Sequence, residues 1–382
     1  MVYFNVKGGD IVKLRRPDYN QSILNVSNTF LHHYGVETEY KGIKELEDKL
    51  QSNTYNHIIY ILLDGMGANI VNKHLTKEDA LRKYMVKPIT SVFPPTTVAA
   101  TNSVLSGLPP ISTGYLGWVQ YFEEEQSDVA VFLNRDFYDA SITFDHIVRE
   151  KYLSYDNILV RSKAVNKDLH TSIIFPEYIE QGTAKSFDHG IEQVLMKTHN
   201  TDESFTYLYW VQPDLIEHQK GIYSDEVRDM LQSLNKSFES LIENITDDTL
   251  VVCIADHGLT DVEEINLFKY ENIVKMLERK PSIEPRAINF FVKDEYKDAF
   301  PIEFNKEFKD IYNLFTKEDL LKAELFGKGV QHPCVDMFLG DYLAIAVDKY
   351  MLGINDKKIY KAHHAGLTED EMMVPLIIYS KK

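Results

Sequence analysis

Four stretches of the chain place metal-binding or nucleophilic residue types directly after apolar runs or inside short loops. The first is Asp256-His257-Gly258, which follows Leu250-Val251-Val252-Cys253-Ile254-Ala255. A short, continuous apolar run rich in β-branched residues suits a strand buried on both faces, as in a parallel sheet. A carboxylate and an imidazole at the carboxyl end of such a strand stand where open α/β sheets bind ligands, and the two suit a metal ion. An aspartate cap beside a surface histidine is the plainer reading, and in isolation the two readings weigh equally. The second stretch is Asp64-Gly65-Met66-Gly67 after His57–Leu63, where the glycines permit a sharp turn; a capping aspartate is again the alternative, and His57 at the far end of the strand reads as structural. The third is Asp214 to His218, after the aromatic run Phe205–Val211. Two ligands four residues apart share one helical face and can grip one cation, whereas Glu217 points elsewhere on that turn. The fourth is the loop Lys361–Thr368, with adjacent His363 and His364; one of these reads as a ligand and the other as structural or as its support.

A hydroxyl completes the set. Thr96-Thr97 follow Phe93-Pro94-Pro95 and open a helix of small residues that Gly107 ends. A hydroxyl at a helix N-terminus meets free backbone N–H groups and the positive end of the helix dipole, which favours a bound phosphoryl group and a developing alkoxide. Taken singly, a threonine there is a cap. Collected, Asp64, Thr97, Asp214, His218, Asp256, His257 and one of His363 or His364 offer three carboxylates, up to three imidazoles and a hydroxyl. That set suits two closely spaced divalent ions bridged by phosphoryl oxygens, with the imidazoles favouring zinc or manganese over magnesium. The hydroxyl is the natural nucleophile, and a phospho-threonine intermediate would divide one displacement into two easier ones.

The elements that must position these groups belong to a 382-residue chain, long enough for one large domain with an insertion or for two domains. The composition, 44% hydrophobic and 26% charged, is that of a globular protein. A net charge of −17 argues against a nucleic-acid polymer or an anionic membrane as partner. It leaves room for a small phosphorylated substrate, because bound cations reverse the sign of a site locally. A homodimer is compatible with the sequence. Two cysteines, Cys253 and Cys334, make no disulfide framework. The N-terminal residues lack the sustained apolar region of a signal peptide and no apolar stretch reaches membrane-spanning length, so the expected location is cytoplasmic.

Residues 1–50 read as a lead-in that becomes an amphipathic helix after Asp18–Leu24. A strand is expected around Val129–Leu133, with helices from Ser141, over Ser186–Thr198 and over Asp225–Asn244. Residues 263–342 change character. They read as helix-rich with one strand-like run, Ala287–Val292, followed by Gly327-Lys328-Gly329 and His332-Pro333. This segment is expected to be an inserted cap on an α/β core formed by residues 1–262 and 343–382, with strands returning at Tyr342–Val347 and Val374–Tyr379. His332 could reach the site from the cap, although a surface histidine is the plainer reading.

The order Asp-Gly, FPPTT, D-x-x-x-H, ADHG and H-x-G resembles the alkaline phosphatase superfamily, and within it the type I phosphodiesterase/nucleotide pyrophosphatase group. The motifs run from Asp64 to His364 and are specific as a set. The resemblance implies an α/β/α sandwich with a mostly parallel central sheet. It implies that Asp214, His218 and His364 hold one metal ion, while Asp64, Asp256, His257 and the Thr97 oxygen hold the other. Thr97 takes the nucleophile's position in the pattern FP-x-x-T, and His364 precedes Ala365-Gly366-Leu367-Thr368 where the group reads His-Gly-Gly-Leu-Thr. Three departures stand out. Val98-Ala99-Ala100 replace the TFPNH-like run after the nucleophile, and Ala365 replaces a glycine. Gly117-Trp118 stand where the group has an asparagine that helps hold the phosphoryl oxygen, which leaves Trp118 or Tyr121 free to form a substrate wall. The C/S-x-P-x-R pattern of sulfatases is missing around both cysteines. The resemblance thus implies a phosphodiesterase or pyrophosphatase. A phosphomonoesterase or phosphomutase of the same superfamily is the alternative, and a non-enzymatic metal-stabilised binding protein is disfavoured because a scaffold needs no nucleophile between its metals.

Overall fold

The central sheet contains six strands: β1 (His57–Leu63), β2 (Met85–Thr90), β3 (His170–Ile174), β4 (Ser204–Trp210), β5 (Thr249–Ile254) and β6 (Met373–Ser380). Their spatial order is β2-β6-β5-β1-β4-β3. The structure is a computed structural model, and it describes residues 2–5, 11–179, 181–354 and 359–381. Strands β5, β1, β4 and β3 pair in parallel. The C-terminal strand β6 runs antiparallel to both β5 and β2, so it alone opposes the common direction.

Every residue of β1 and β5 is buried. A strand whose successive side chains are all buried must be covered on both faces, which is why these segments read as unbroken apolar runs. Phe30 of helix Ile23–His33 packs its ring against Tyr60 and Phe205. Helix Asp225–Asn244 adds Val227, Leu231, Leu234, Phe238 and Leu241 to the same core at helical spacing, with Ser224 as its N-cap. The layered α/β architecture expected from the sequence is therefore present. The lead-in differs in detail, since it forms two helices, Ile23–His33 and Lys44–Ser52, rather than one. No helix among the described residues is long and apolar enough to cross a membrane.

A second sheet lies beside the first. Its seven strands run in the order Tyr312–Thr316, Tyr342–Ala346, Ala287–Phe290, Ser282–Glu284, Val119–Phe122, Ser127–Ala130 and Arg135–Asp136. All neighbouring pairs are antiparallel. Residues 263–342 are thus richer in strand than their composition suggested, because strands of three to five residues carry too little alternation to be read. Tyr342–Ala346 is a strand as expected, and it belongs to this second sheet. The strand expected at Val129–Leu133 is Ser127–Ala130, and the chain turns at once, with Leu133 and Asn134 both donating to the Ala130 carbonyl. No helix starts at Ser141. Asp139 accepts from the Ser141 amide and hydroxyl, fixing a turn there, and the helix begins at Val148.

One buried ion pair ties the two sheets together. Arg286, in the tight turn between Ser282–Glu284 and Ala287–Phe290, is fully buried and donates through Nε and Nη2 to the two oxygens of Glu371 at 2.6 and 2.8 Å. Its Nη1 donates to the carbonyls of Asp348 and Tyr350. Glu371 also accepts from the Gly366 amide and the Thr368 hydroxyl, so the pair holds the loop that follows His364. Breaking a buried pair leaves a charge without a partner, which costs about 3–5 kcal/mol, whereas an exposed pair is worth under about 1 kcal/mol. Glu371→Gln should lower the unfolding free energy measured by urea denaturation by that larger amount, and Glu263→Gln, which removes the exposed partner of Lys349, should hardly change it.

Candidate functional site

Strand register brings the carboxylates together. Leu62 pairs with Ile254 across β1 and β5, so carrying the register two residues on sets Asp64 beside Asp256. Leu63 pairs with Trp210 of β4, and beyond it the Asp64 amide donates to the Trp210 carbonyl while the Asp214 amide donates to the Asp64 carbonyl. Gly65 has to be glycine here. Its φ is +75°, and a Cβ would lie 2.8 Å from the Asp214 Cα. Its amide donates to Asp256 Oδ1 at 3.0 Å. Two cis peptide bonds, Phe93–Pro94 and Gln212–Pro213, precede Thr97 and Asp214.

Thr97 is the first residue of helix Thr97–Ser106. Its hydroxyl lies 3.4 Å from Asp64 Oδ1 and 3.2 Å from His257 Nε2. Thr96, one residue earlier, is fully buried and turns the other way, donating to Glu284 Oε1 at 2.6 Å. His257 Nε2 lies 3.4 Å from Asp64 and 3.5 Å from Asp256. His218 Nε2 lies 3.3 Å from Asp214, and His364 Nε2 lies 4.0 Å from the same oxygen. The rings of His257 and His364 are 4.1 Å apart at their centroids.

Among the described residues, three groups each bring one ligand atom per side chain within 4.8 Å of one another: Asp64–Asp256–His257, Asp214–His257–His364 and Glu284–His363–His364. Asp64, Asp214, Asp256, His257 and His364 all fall in these groups. His218 joins none of them and approaches through Asp214. Thr97 touches the first group. Glu217 is fully buried with both carboxyl oxygens unpartnered, and it stays outside all three. His332 also stays out of the site; its Nδ1 accepts from the Cys334 amide. His57 contacts the Ser204 hydroxyl at 3.0 Å or less, at 2.9 Å, as a structural residue would.

The electrostatics fit divalent cations. Burial, with the charges of Asp256 and Asp214, raises the Asp64 carboxyl well above its ordinary range. Burial also raises Asp256, against the pull of His257. Burial opposes ionisation of Asp214 as well, but the His218 charge 3.3 Å away outweighs it and holds the group low. Asp214 Oδ1, Asp256 Oδ2 and His364 Nδ1 are buried without hydrogen-bond partners. Three crowded carboxylates with orphaned oxygens are what a pair of cations would satisfy. The imidazoles are arranged to match. His218 Nδ1 lies 2.8 Å from the Ala362 carbonyl and His257 Nδ1 lies 3.2 Å from the Gly258 carbonyl, so an Nδ1–H donated to each carbonyl leaves Nε2 free to ligate. Burial and neighbouring imidazoles lower His363 and His364 well below the ordinary range, keeping them neutral and available as ligands.

Two groups here escaped sequence reasoning. Tyr209 donates its hydroxyl to Asp64 Oδ2, from a strand position that reads only as aromatic core. Glu284 sits in a three-residue strand beside Ile283, whose φ is +71°. It accepts from the Trp118 amide at 2.8 Å and from Thr96, and burial raises its carboxyl to about 7. Nothing local marks it in the sequence, since its partners lie more than 160 residues earlier. Gly117 lets the backbones touch: a Cβ there would meet Ile283 Cγ2 at 2.7 Å.

Residues 58–359 match the sequence model of the family described as type I phosphodiesterase/nucleotide pyrophosphatase. Solved structures of similar fold include murine ectonucleotide pyrophosphatase/phosphodiesterase 5, at 13% identity and a TM-score of 0.64. An inactive variant of that murine protein, in complex with AMP, gives 13% and 0.63, and human ectonucleotide pyrophosphatase/phosphodiesterase 5 gives 16% and 0.63. In each comparison 85% of this chain and 88% of the other are covered.

Removing a group that orients a metal ligand typically lowers metal affinity or activity about 10- to 100-fold. Tyr209→Phe keeps the packing of β4 and deletes the bond to Asp64. It should weaken divalent-ion binding by about tenfold in a calorimetric titration while leaving the melting temperature of the metal-free protein nearly unchanged.

Proposed function

Because the chain belongs to the type I phosphodiesterase/nucleotide pyrophosphatase family, a family of hydrolases, we propose that it cleaves a small phosphodiester or pyrophosphate through a covalent phospho-threonine at Thr97. In this reading Asp214, His218 and His364 hold one divalent ion, and Asp64, Asp256, His257 and the Thr97 oxygen hold a second. The imidazole share of the ligand set favours zinc, with manganese as the other candidate. When bound, the ions supply charge neutralisation for the phosphoryl oxygens and a lowered pKa for the threonine hydroxyl.

The chain's own residues do the rest. Asp64 and His257 hold the Thr97 hydroxyl from two sides, so its oxygen is oriented before substrate arrives. Thr97 attacks phosphorus, the alcohol or phosphate leaving group departs, and water then attacks the phospho-threonine to release the product and restore the hydroxyl. The positive end of helix Thr97–Ser106 favours the phosphoryl charge at that point. The observation that carries the proposal is the position of the Thr97 hydroxyl, in contact with both a carboxylate and an imidazole where three strand-end carboxylates converge. A nucleotide substrate is supported by the family's description and by the AMP bound to the murine relative.

Two measurements test this reading. Protein stripped by chelator and reloaded with zinc or manganese should hydrolyse bis-p-nitrophenyl phosphate faster than p-nitrophenyl phosphate. Preference for the monoester would favour a phosphatase or mutase instead. Thr97→Ala should lower diester turnover by roughly three orders of magnitude or more, with an unchanged circular dichroism spectrum. Retained turnover would remove Thr97 from the mechanism.

A further inference from the structure

The reading above leaves Glu284 and His363 without a task, yet both are buried and both face the third candidate group. One oxygen of Glu284 and one nitrogen each of His363 and His364 lie within 4.8 Å of one another. Two imidazoles and one carboxylate form a set that binds zinc and similar divalent ions. We propose that Glu284, His363 and His364 hold a third divalent cation beside the pair.

Glu284 is prepared for such a role. The Thr96 hydroxyl and the Trp118 amide both donate to Oε1, at 2.6 and 2.8 Å, which fixes the carboxyl plane. Oε2 accepts no hydrogen bond among the described residues, so it is available to an ion. His363, like His218 and His257, is held by backbone on its Nδ1 side, but as an acceptor. Its Nδ1 lies 3.1 Å from the His364 carbonyl and 3.0 Å from the His364 amide. That amide donates to Nδ1, so the ring proton sits on Nε2, and an ion bound at Nε2 releases it. The buried, unpartnered Nδ1 of His364 is a separate indication that this corner lacks a cation.

His364 belongs both to this group and to the one with Asp214 and His257, so it serves both ions as an imidazolate, one nitrogen to each, and gives up its ring proton to solvent when the third ion binds. It should therefore bind last and most weakly. The inference rests on the two-ion reading only for the number against which a third ion is counted.

The test is an ion count. Full-length protein stripped by chelator, loaded with excess zinc and passed through a desalting column should carry three ions per chain by mass spectrometry of the metal. Glu284→Gln keeps the Oε1 acceptor for Thr96 and Trp118 and removes the Oε2 ligand; it should carry two. His363→Gln, an independent variant on another element, should also carry two. Thr97→Ala should keep three. Crystals of the zinc-loaded protein should show an anomalous peak between Glu284 and His363. Two ions in the wild type, or three in both variants, would overturn the proposal. So would the loss of two ions from either variant, which would place that residue in the pair itself. Cleavage through Thr97 with only two ions bound would remove the third site alone. Three ions with Thr97→Ala still active would remove the proposed mechanism and leave the site standing.

Discussion

Mutual repulsion among three buried carboxylates is the constraint to which the rest of the molecule answers. Asp64, Asp214 and Asp256 stand at the ends of three adjacent parallel strands, and the strand register leaves them no means of separating. Two like charges about 4 Å apart repel by about 4 kcal/mol at an effective dielectric of 20, so the cluster opposes folding unless protons or cations neutralise it. Burial, to which the neighbouring aspartate charges add, raises the Asp64 and Asp256 carboxyls in the metal-free protein. Asp214 escapes it because His218 supplies a compensating positive charge. The apolar strands matter for this reason. Fully buried strands on both sides make the sheet rigid enough to hold charges together that water would otherwise separate.

The second sheet takes part in the same problem. Arg286 enters from its hairpin and fixes Glu371, and Glu371 fixes the loop after His364. Glu284, two residues before Arg286, reaches Thr96 next to Thr97. The hairpin thus touches the site at two points with opposite charges, a guanidinium on one side and a carboxyl on the other. A displaced hairpin would disturb the His364 loop and the start of helix Thr97–Ser106 together. The hairpin forms one wall of the site.

Which parts were legible in the sequence follows from the same physics. Strands β1, β4 and β5 could be read because burial on both faces demands an unbroken apolar run, and the aspartates could be read because they break those runs abruptly. The helices expected over Ser186–Thr198 and Asp225–Asn244 lie close to those bounds, and the structure shows Ser186 and Ser224 capping them. The second sheet was hidden because its strands are short and because Val119 pairs with Ile283, far along the chain. Glu284 was hidden for the same reason, since its meaning lies in a backbone amide at Trp118 and a hydroxyl at Thr96. Tyr209 was hidden within an aromatic strand whose every member looks like core. Spacing left His363 and His364 open and the resemblance chose His364; the fold brings His364 to Asp214 and His257, and His363 only to the group with Glu284.

That last point extends beyond the histidines. Thr97 faces Asp64 and His257, while Thr96 faces Glu284. His364 joins Asp214 and His257, while His363 joins Glu284 without them. In an extended segment or at a helix cap, successive side chains diverge, so each adjacent pair divides between the two sides of one site. The Glu284 side is therefore built from the immediate neighbours of Thr97 and His364. Such an arrangement ties the two sides by single peptide bonds, so neither can move far without the other. It also leaves the side chains at Thr96, Trp118, Glu284 and His363 free to vary while Thr97 and the three strand-end carboxylates stay in place. Differences among members of this fold in ion content or in the group that leaves are expected to concentrate at those four positions.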